Sequence, residues 1–351
     1  MKATIFHGPR DVRVERVPDP ALSAPTDAIV RITRAAICGS DLHVYDGGTP
    51  IEGGFVLGHE GVGVVEEAGT GVTRLRKGQR VVVSGLVACG ECFFCRRGQP
   101  SQCDAAGGSV FGFGKMAAGK LGDLGGEQAE AVRVPMADYT CYPLPDGVDD
   151  DAAVFLADIL PTAYFGARNG DIRPGDVVAV FGCGPVGLCA VIAAQLFGPA
   201  EVIAVDSVPH RLELARKLGA TAVTLEKARD LILNRTDGRG ADVTIEAVGN
   251  AGALNASFEN VRGGGTVSMV GVMGKPTWEY PMMLGFAKDL TFRVGLANIN
   301  AHIPELARLI EHKRIDPRPI VSHVLPLDEV PRGYKIFDAR TEGAIKILLK
   351  P

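Results

Sequence analysis

Residues 177–198 read VVAVFGCGPVGLCAVIAAQLFG, and the architecture of the chain turns on them. A short β-branched run ends at Gly182, and an Ala-rich apolar stretch begins at Pro185. Between and just beyond them, Gly182, Gly184 and Gly187 stand at Gly-x-Gly-x-x-Gly spacing. The spacing alone is weak evidence. Its place after a buried strand and at the start of a helix is what a dinucleotide phosphate site requires. The first glycine makes the turn, the second lets backbone approach a pyrophosphate, and the third lets helix and strand pack closely. Pro185 and Val186 open the helix, whose free N–H groups and positive dipole end attract phosphate.

Outward from this stretch, strands and helices alternate. Strands are predicted at 176–182, 201–207, 221–225, 242–249, 265–271 and 290–295, with helices at 185–197, 209–218, 227–234 and 251–260. Apolar strands alternating with helices imply a parallel sheet covered on both faces, here a doubly wound one of six strands. The second strand ends at Asp206, nineteen residues after Gly187. A carboxylate there binds both ribose hydroxyls and repels a 2′-phosphate, which favours NAD over NADP. The nearby Arg211 complicates this, since an Arg accepts a 2′-phosphate. The bland alternative is that Asp206 only caps the next helix.

The first 150 residues read differently. Short alternating segments at 2–8, 11–17, 28–37, 62–68 and 80–85, punctuated by Gly, Pro and Asp, predict a partly closed antiparallel barrel. The stretch 149–167, DDDAAVFLADILPTAYFGA, predicts a helix that opens the second regime. Past residue 295 come one more helix at 301–314 and strand-like segments at 323–327 and 344–350.

The bulk properties bound the function. A chain of 351 residues with 46% apolar and 22% charged residues is a globular protein of two domains. A net charge of −4 from mixed signs excludes nucleic acid and anionic membrane as partners. The N-terminus has no apolar signal core, and the longest apolar run is too short to span a bilayer. The thiols are therefore expected in a reducing cytoplasm, where clustered cysteines bind metal more often than they pair.

Four of the eight cysteines fall in residues 89–103, CGECFFCRRGQPSQC, at C-x2-C-x2-C-x7-C spacing. Cys89, Cys92, Cys95 and Cys103 have nearly the spacing of a structural zinc site, tetrahedral and coordinatively full. Arg96 and Arg97 stand where they could offset its negative charge. An iron–sulfur cluster is the competing reading, but the bacterial ferredoxin run has a shorter last gap and a following Pro. A second, dispersed set is Cys38 in ICGSDLH, His59 and Glu60 in GHEGVGVVEEAG, and Asp158 in FLADIL. Thiolate, imidazole and carboxylate with a water are how a catalytic zinc keeps an open position. Taken singly, these are a buried thiol, a core histidine and a helix cap.

Taken together, CGSDLH, GHEGVGVVEEAG, the four-cysteine lobe, LADILPT and FGCGPVG, in that order, resemble the zinc-dependent medium-chain alcohol dehydrogenases over essentially the whole chain. The resemblance implies an α/β protein with a GroES-like β-barrel catalytic domain at 1–155 and a Rossmann domain at 156–295. A segment at 296–351 would return to the catalytic domain, with the active site in the cleft. It makes Cys38, His59 and Asp158 the catalytic zinc ligands and Glu60 a carboxylate that enters the coordination sphere transiently. Asp158 in place of a second Cys resembles bacterial secondary-alcohol and formaldehyde dehydrogenases, and a carboxylate leaves the metal more Lewis acidic.

The implied mechanism has zinc lower the pKa of the substrate hydroxyl while hydride passes to NAD. The proton leaves through Ser40 and His43. Val248, Gly249, Gly271 and Val272 would end sheet strands at the dinucleotide, and Lys346 would reach its pyrophosphate. A solvated strand lysine is the bland reading of Lys346. Gly39 departs from relatives that carry a basic phosphate ligand there, which throws more weight on the helix and Lys346. Phe111 and Phe113 either line the substrate pocket or belong to the core. The implied protein binds two Zn2+ per chain and NAD, acts on a small alcohol, aldehyde or ketone, and forms a homo-oligomer, a tetramer ahead of a dimer. Formaldehyde oxidation or dismutation and polyol dehydrogenation use the same parts. A non-enzymatic NAD-binding zinc redox sensor is the reading from another class, and it needs neither an open metal position nor the Ser40–His43 pair.

Overall fold

The strand–glycine–helix stretch is the centre of a parallel sheet. In the computed structural model, which describes residues 1–48, 51–274 and 277–351, Val177–Phe181 is a buried strand and Pro185–Gln195 a helix capped at Gly184. Eight consecutive residues of that helix, Gly187–Ala194, are buried, as its lack of a polar face demands. Glu201–Val205, Thr221–Val223, Ala241–Glu246, Val261–Met269 and Thr291–Val294 complete the sheet. Counted in chain order, its strands lie 3-2-1-4-5-6, every neighbour parallel. That is the doubly wound order whose central switch point takes a dinucleotide. Phe181, Ile203, Val205 and Ile232 fill one side, and Leu254, Phe258 and Met269 another.

These elements form one of two compact units, Thr162–Ala297. The other joins Met1–Pro161 to Asn298–Pro351. Its main sheet pairs Ala28–Ile37 with Gly61–Ala68 and then Arg80–Val83 and Cys141–Pro143, all antiparallel. On its other side, Ala28–Ile37 takes Lys346–Lys350 antiparallel, and Val321–Pro326 adds to that strand in parallel. The C-terminal segment is thus built into the first unit. A small sheet of Asp11–Arg16, Lys2–Gly8 and Phe55–Val56 lies beside it in sequence. No helix among the described residues is long and apolar enough to cross a membrane.

The helix predicted at 149–167 is interrupted. Asp150–Ala153 and a 3-10 turn Val154–Ala157 stop at Asp158, whose φ of −152° and ψ of −70° are non-helical, and Ile159–Asn169 restarts beyond it. The cause is Pro161, which has no N–H for the carbonyl four residues back. That carbonyl, on Ala157, accepts the N–H of Gly85 instead, at 3.0 Å. The break also moves the unit boundary. Placed at residue 155, it would put Asp158 with the nucleotide domain; the structure puts the division after Pro161, so Asp158 belongs with Cys38 and His59.

Candidate metal centres and nucleotide site

Strand Ala28–Ile37 runs directly into the short helix Gly39–Tyr45, and Cys38 caps that helix. Asp41, at its third position, accepts the Cys38 N–H at 2.9 Å on Oδ2. This reciprocal cap fixes where the thiol leaves the backbone. Cys38 Sγ lies 3.6 Å from Asp158 Oδ2, and His59 Nε2 lies 3.4 Å from the same oxygen. A zinc with bonds of about 2.0–2.3 Å in a tetrahedron separates its ligand atoms by roughly 3.3–3.8 Å. The donor set and its spacing therefore fit that ion, and its three members lie 21 to 120 residues apart in sequence.

The four thiols of the cysteine lobe pass the same test. Their sulfurs all lie within 4.8 Å of one another, with Cys89–Cys95 and Cys92–Cys103 at 4.0 Å. The Cys89 N–H points at Cys103 Sγ and the Cys92 N–H at Cys89 Sγ, at 3.3 and 3.4 Å. Donors of that kind, the Cys95 N–H first, lower the Cys92 thiol to about 6, while burial raises Cys95 and Cys89. Of the two arginines expected to offset the charge, Arg97 lies over the Phe93 ring at 4.3 Å and Arg96 is exposed.

At the glycine loop, Gly182 has φ +95°, and a Cβ on Gly187 would overlap the Gly182 carbonyl oxygen. A Cβ on Gly184 would meet nothing within 4 Å, which leaves room for a ligand at the helix start. Asp206 accepts the Cys183 N–H of this loop at 2.6 Å, and the Ser207 and Val208 N–H groups at 2.7 and 2.8 Å. It therefore braces the loop as well as capping the turn before Pro209–Lys217, the helix that carries Arg211 in its first turn.

Two family models match this chain in order: the alcohol dehydrogenase GroES-like domain over residues 24–146, and the zinc-binding dehydrogenase over 185–312. A zinc-type alcohol dehydrogenase-like protein of Bacillus subtilis is 38% identical, with 100% of both chains covered. The chain belongs to the zinc-dependent medium-chain alcohol dehydrogenase family. Its structure overlays that of an alcohol dehydrogenase from Thermus sp. ATN1 with a TM-score of 0.93 at 45% identity, covering 100% of this chain and 99% of that one. A zinc-binding dehydrogenase of Sinorhizobium meliloti, solved with NADP, has a TM-score of 0.83 at 27% identity over 100% of this chain and 99% of its own. The protein is accordingly a zinc-dependent alcohol oxidoreductase that uses a nicotinamide cofactor.

In this dehydrogenase Ser40 Oγ lies 3.1 Å from His59 Nε2. His43 is three positions further along the same helix, hence on the same face. The Phe113 ring stacks on His59 with centroids 5.1 Å apart, whereas Phe111 is fully buried core. Burial opposes charge on His59, but Asp41 and then Cys38 outweigh it and hold the imidazole well above its usual range. Burial, then Glu60, pushes the Cys38 thiol up.

Lys346 corrects an expectation. It is 0% exposed, and its ammonium is bonded to Glu60 Oε2 and to the Ile37 carbonyl. Two of its three donors are taken inside the protein, and the buried ammonium presents no surface to a pyrophosphate. Glu60 is equally buried, so the pair satisfies two charges that neither site could bury alone. The signal in sequence was faint: one lysine between the apolar residues of AIKILL.

Val248 and Val272 are exposed beside Gly249 and Gly271. Beneath them lies Glu246, a residue the sequence reading passed over. Fully buried at the end of its strand, it accepts the Val248 and Gly249 N–H groups at 2.9 and 2.8 Å. Burial raises its pKa. The clue was a carboxylate inside an apolar β-branched run, DVTIEAVG. Asp41 was missed as well, although CGSD holds it three residues after Cys38.

Proposed function

We propose that this dehydrogenase interconverts an alcohol and its aldehyde or ketone with NAD, using one zinc at Cys38, His59 and Asp158 and a second, closed zinc in the cysteine lobe. The observation that carries this reading is the convergence of three donor atoms at tetrahedral spacing, since three protein ligands leave a fourth position to substrate. Zinc there supplies Lewis acidity at the substrate oxygen. Ser40 Oγ, beside the metal-side nitrogen of His59, takes the proton that the alcohol releases. His43, one turn along, passes it outward, an exchange suited to imidazole. Glu60, whose Oε2 is held by Lys346, would offer a metal its Oε1, which has no hydrogen-bond partner. Metal analysis tests the first claim: about two zinc ions per chain are expected, and one or none overturns it.

The NAD preference rests on Asp206. Exchanging its carboxylate for nothing removes charge-assisted bonds of about 1.5–3 kcal/mol to the ribose, on the order of ten- to a hundredfold in affinity. Asp206→Gly is thus expected to weaken NAD by that factor and NADP by much less, read as the ratio of their dissociation constants. An unchanged ratio would place the preference elsewhere. Because Asp206 also holds the Cys183 N–H, both cofactors lose a common amount from the loosened loop.

A homo-oligomer is part of the reading. Thr291–Val294 is an edge of the parallel sheet, with Val294 61% exposed, and Met283 and Phe286 are exposed on the helix before it. An apolar edge with unpaired backbone groups invites a second copy. Val294→Arg should lower the mass measured by light scattering; a mass unchanged from wild type counts against this face. A reducing cytoplasm is part of the reading, since clustered thiols there bind metal more often than they form disulfides.

A further inference from the structure

Behind His59 lies a chain of buried polar side chains that the proposed reaction leaves unused. Tyr334, on helix Val330–Asp338, donates its hydroxyl to Gln128 Oε1 at 3.1 Å. Gln128 Nε2 donates to the Ala36 carbonyl and to Asp41 Oδ2, both at 3.2 Å. The other Asp41 oxygen lies at ion-pair distance, 3.2 Å, from His59 Nδ1, and neither of those two buried atoms has a hydrogen-bond partner, so each is left to the other. Tyr334, Gln128 and Asp41 are all fully buried.

The polarity of this chain is determined at each link. A phenol can give its proton only to the oxygen of the amide, and the Ala36 carbonyl can accept only from its nitrogen. The Gln128 NH2 therefore faces Asp41, whose Oδ2 takes two donors, Gln128 and the Cys38 N–H. That leaves Oδ1 to face Nδ1 of His59, and in the neutral, metal-binding imidazole a proton on Nδ1 leaves the lone pair on Nε2, the nitrogen facing Asp158. Packing holds both outer members. The Tyr334 ring lies 5.2 Å from that of Tyr45, the last residue of the Cys38 helix. Gly58, at φ +101°, has no Cβ where the Gln128 stem runs.

We propose that Gln128, backed by Tyr334, is a positioning residue for the metal centre: it orients the Asp41 carboxylate so that His59 presents Nε2. The inference rests on the reading of Cys38, His59 and Asp158 as a metal site. The full-length protein, stripped at those residues and titrated with Co2+ against a competing chelator, tests it, with the metal of the cysteine lobe as internal reference. Gln128→Met should weaken Co2+ at the Cys38 centre by about tenfold, the lower end for an outer-shell partner of a metal ligand, and shift its visible bands. Tyr334→Phe removes one outer hydrogen bond and should cost about threefold. Because Tyr334 acts through Gln128, the double variant should bind no more weakly than Gln128→Met alone.

Wild-type affinity and bands in Gln128→Met, or additive losses in the double variant, overturn the proposal. If Gln128→Met does not fold, Tyr334→Phe decides, and wild-type affinity there overturns it. A wild-type chain that takes up metal only in the cysteine lobe sinks the metal-site reading and this inference together.

Discussion

Asp158→Ala is expected to leave one zinc per chain and to lower turnover by on the order of a thousandfold or more, beyond the ten- to hundredfold that an outer-shell partner costs. The geometry gives the reason. Asp158 Oδ2 is the atom from which both Cys38 Sγ and His59 Nε2 are measured, at 3.6 and 3.4 Å, so it is common to both edges of the donor triangle. Two remaining donors hold zinc too weakly to compete with water and buffer. The backbone around the site stays intact, because the break at Asp158 comes from Pro161 and from the Gly85–Ala157 hydrogen bond, neither of which involves the carboxylate. The retained zinc is that of the cysteine lobe, and NAD affinity is unchanged. Zinc analysis together with turnover decides. Full activity with two zinc ions would remove Asp158 from the ligand set.

Cys103→Ser should act on stability and hardly on chemistry. Cys103 is buried, and its sulfur accepts the Cys89 N–H and lies against Cys92. Without it the remaining thiols cannot close a tetrahedron, and the metal's contribution to folding goes. A loss of roughly 3–5 kcal/mol is therefore expected, which at about 2–4 °C per kcal/mol for a unit of this size is a large fall in Tm. Turnover per folded chain, measured well below the new Tm, should stay near wild type. An unchanged Tm would mean that the four thiols do not hold the lobe together.

The parts of this site that were legible in the sequence are those whose chemistry demands a residue type at a fixed spacing. The glycine fingerprint, the four cysteines and the Gly-His-Glu motif are of this kind. So is the six-stranded parallel sheet, because fully buried parallel strands read as apolar runs. What stayed hidden depends on contacts between distant segments. Lys346 and Glu60 stand 286 residues apart, so nothing local announced that a strand lysine would end inside, on a carboxylate. Gln128 reaches Asp41 across 87 residues in the same way. The interruption at Asp158 was misread for a different reason: an Ala- and Leu-rich stretch has helical propensity throughout, and the effect of one Pro on the carbonyl four residues earlier overrides it.

The seam after Pro161 has a consequence for inheritance. Every side chain of the two candidate donor sets lies in Met1–Pro161, and the glycine loop, Asp206 and Glu246 all lie in Thr162–Ala297. A recombination event with crossovers at 161/162 and 297/298 would exchange the nucleotide-reading cassette and pass on the donor set whole. A first crossover six residues earlier, at 155/156, would separate Asp158 from Cys38 and His59 and make each offspring depend on the ligand its other parent happened to carry.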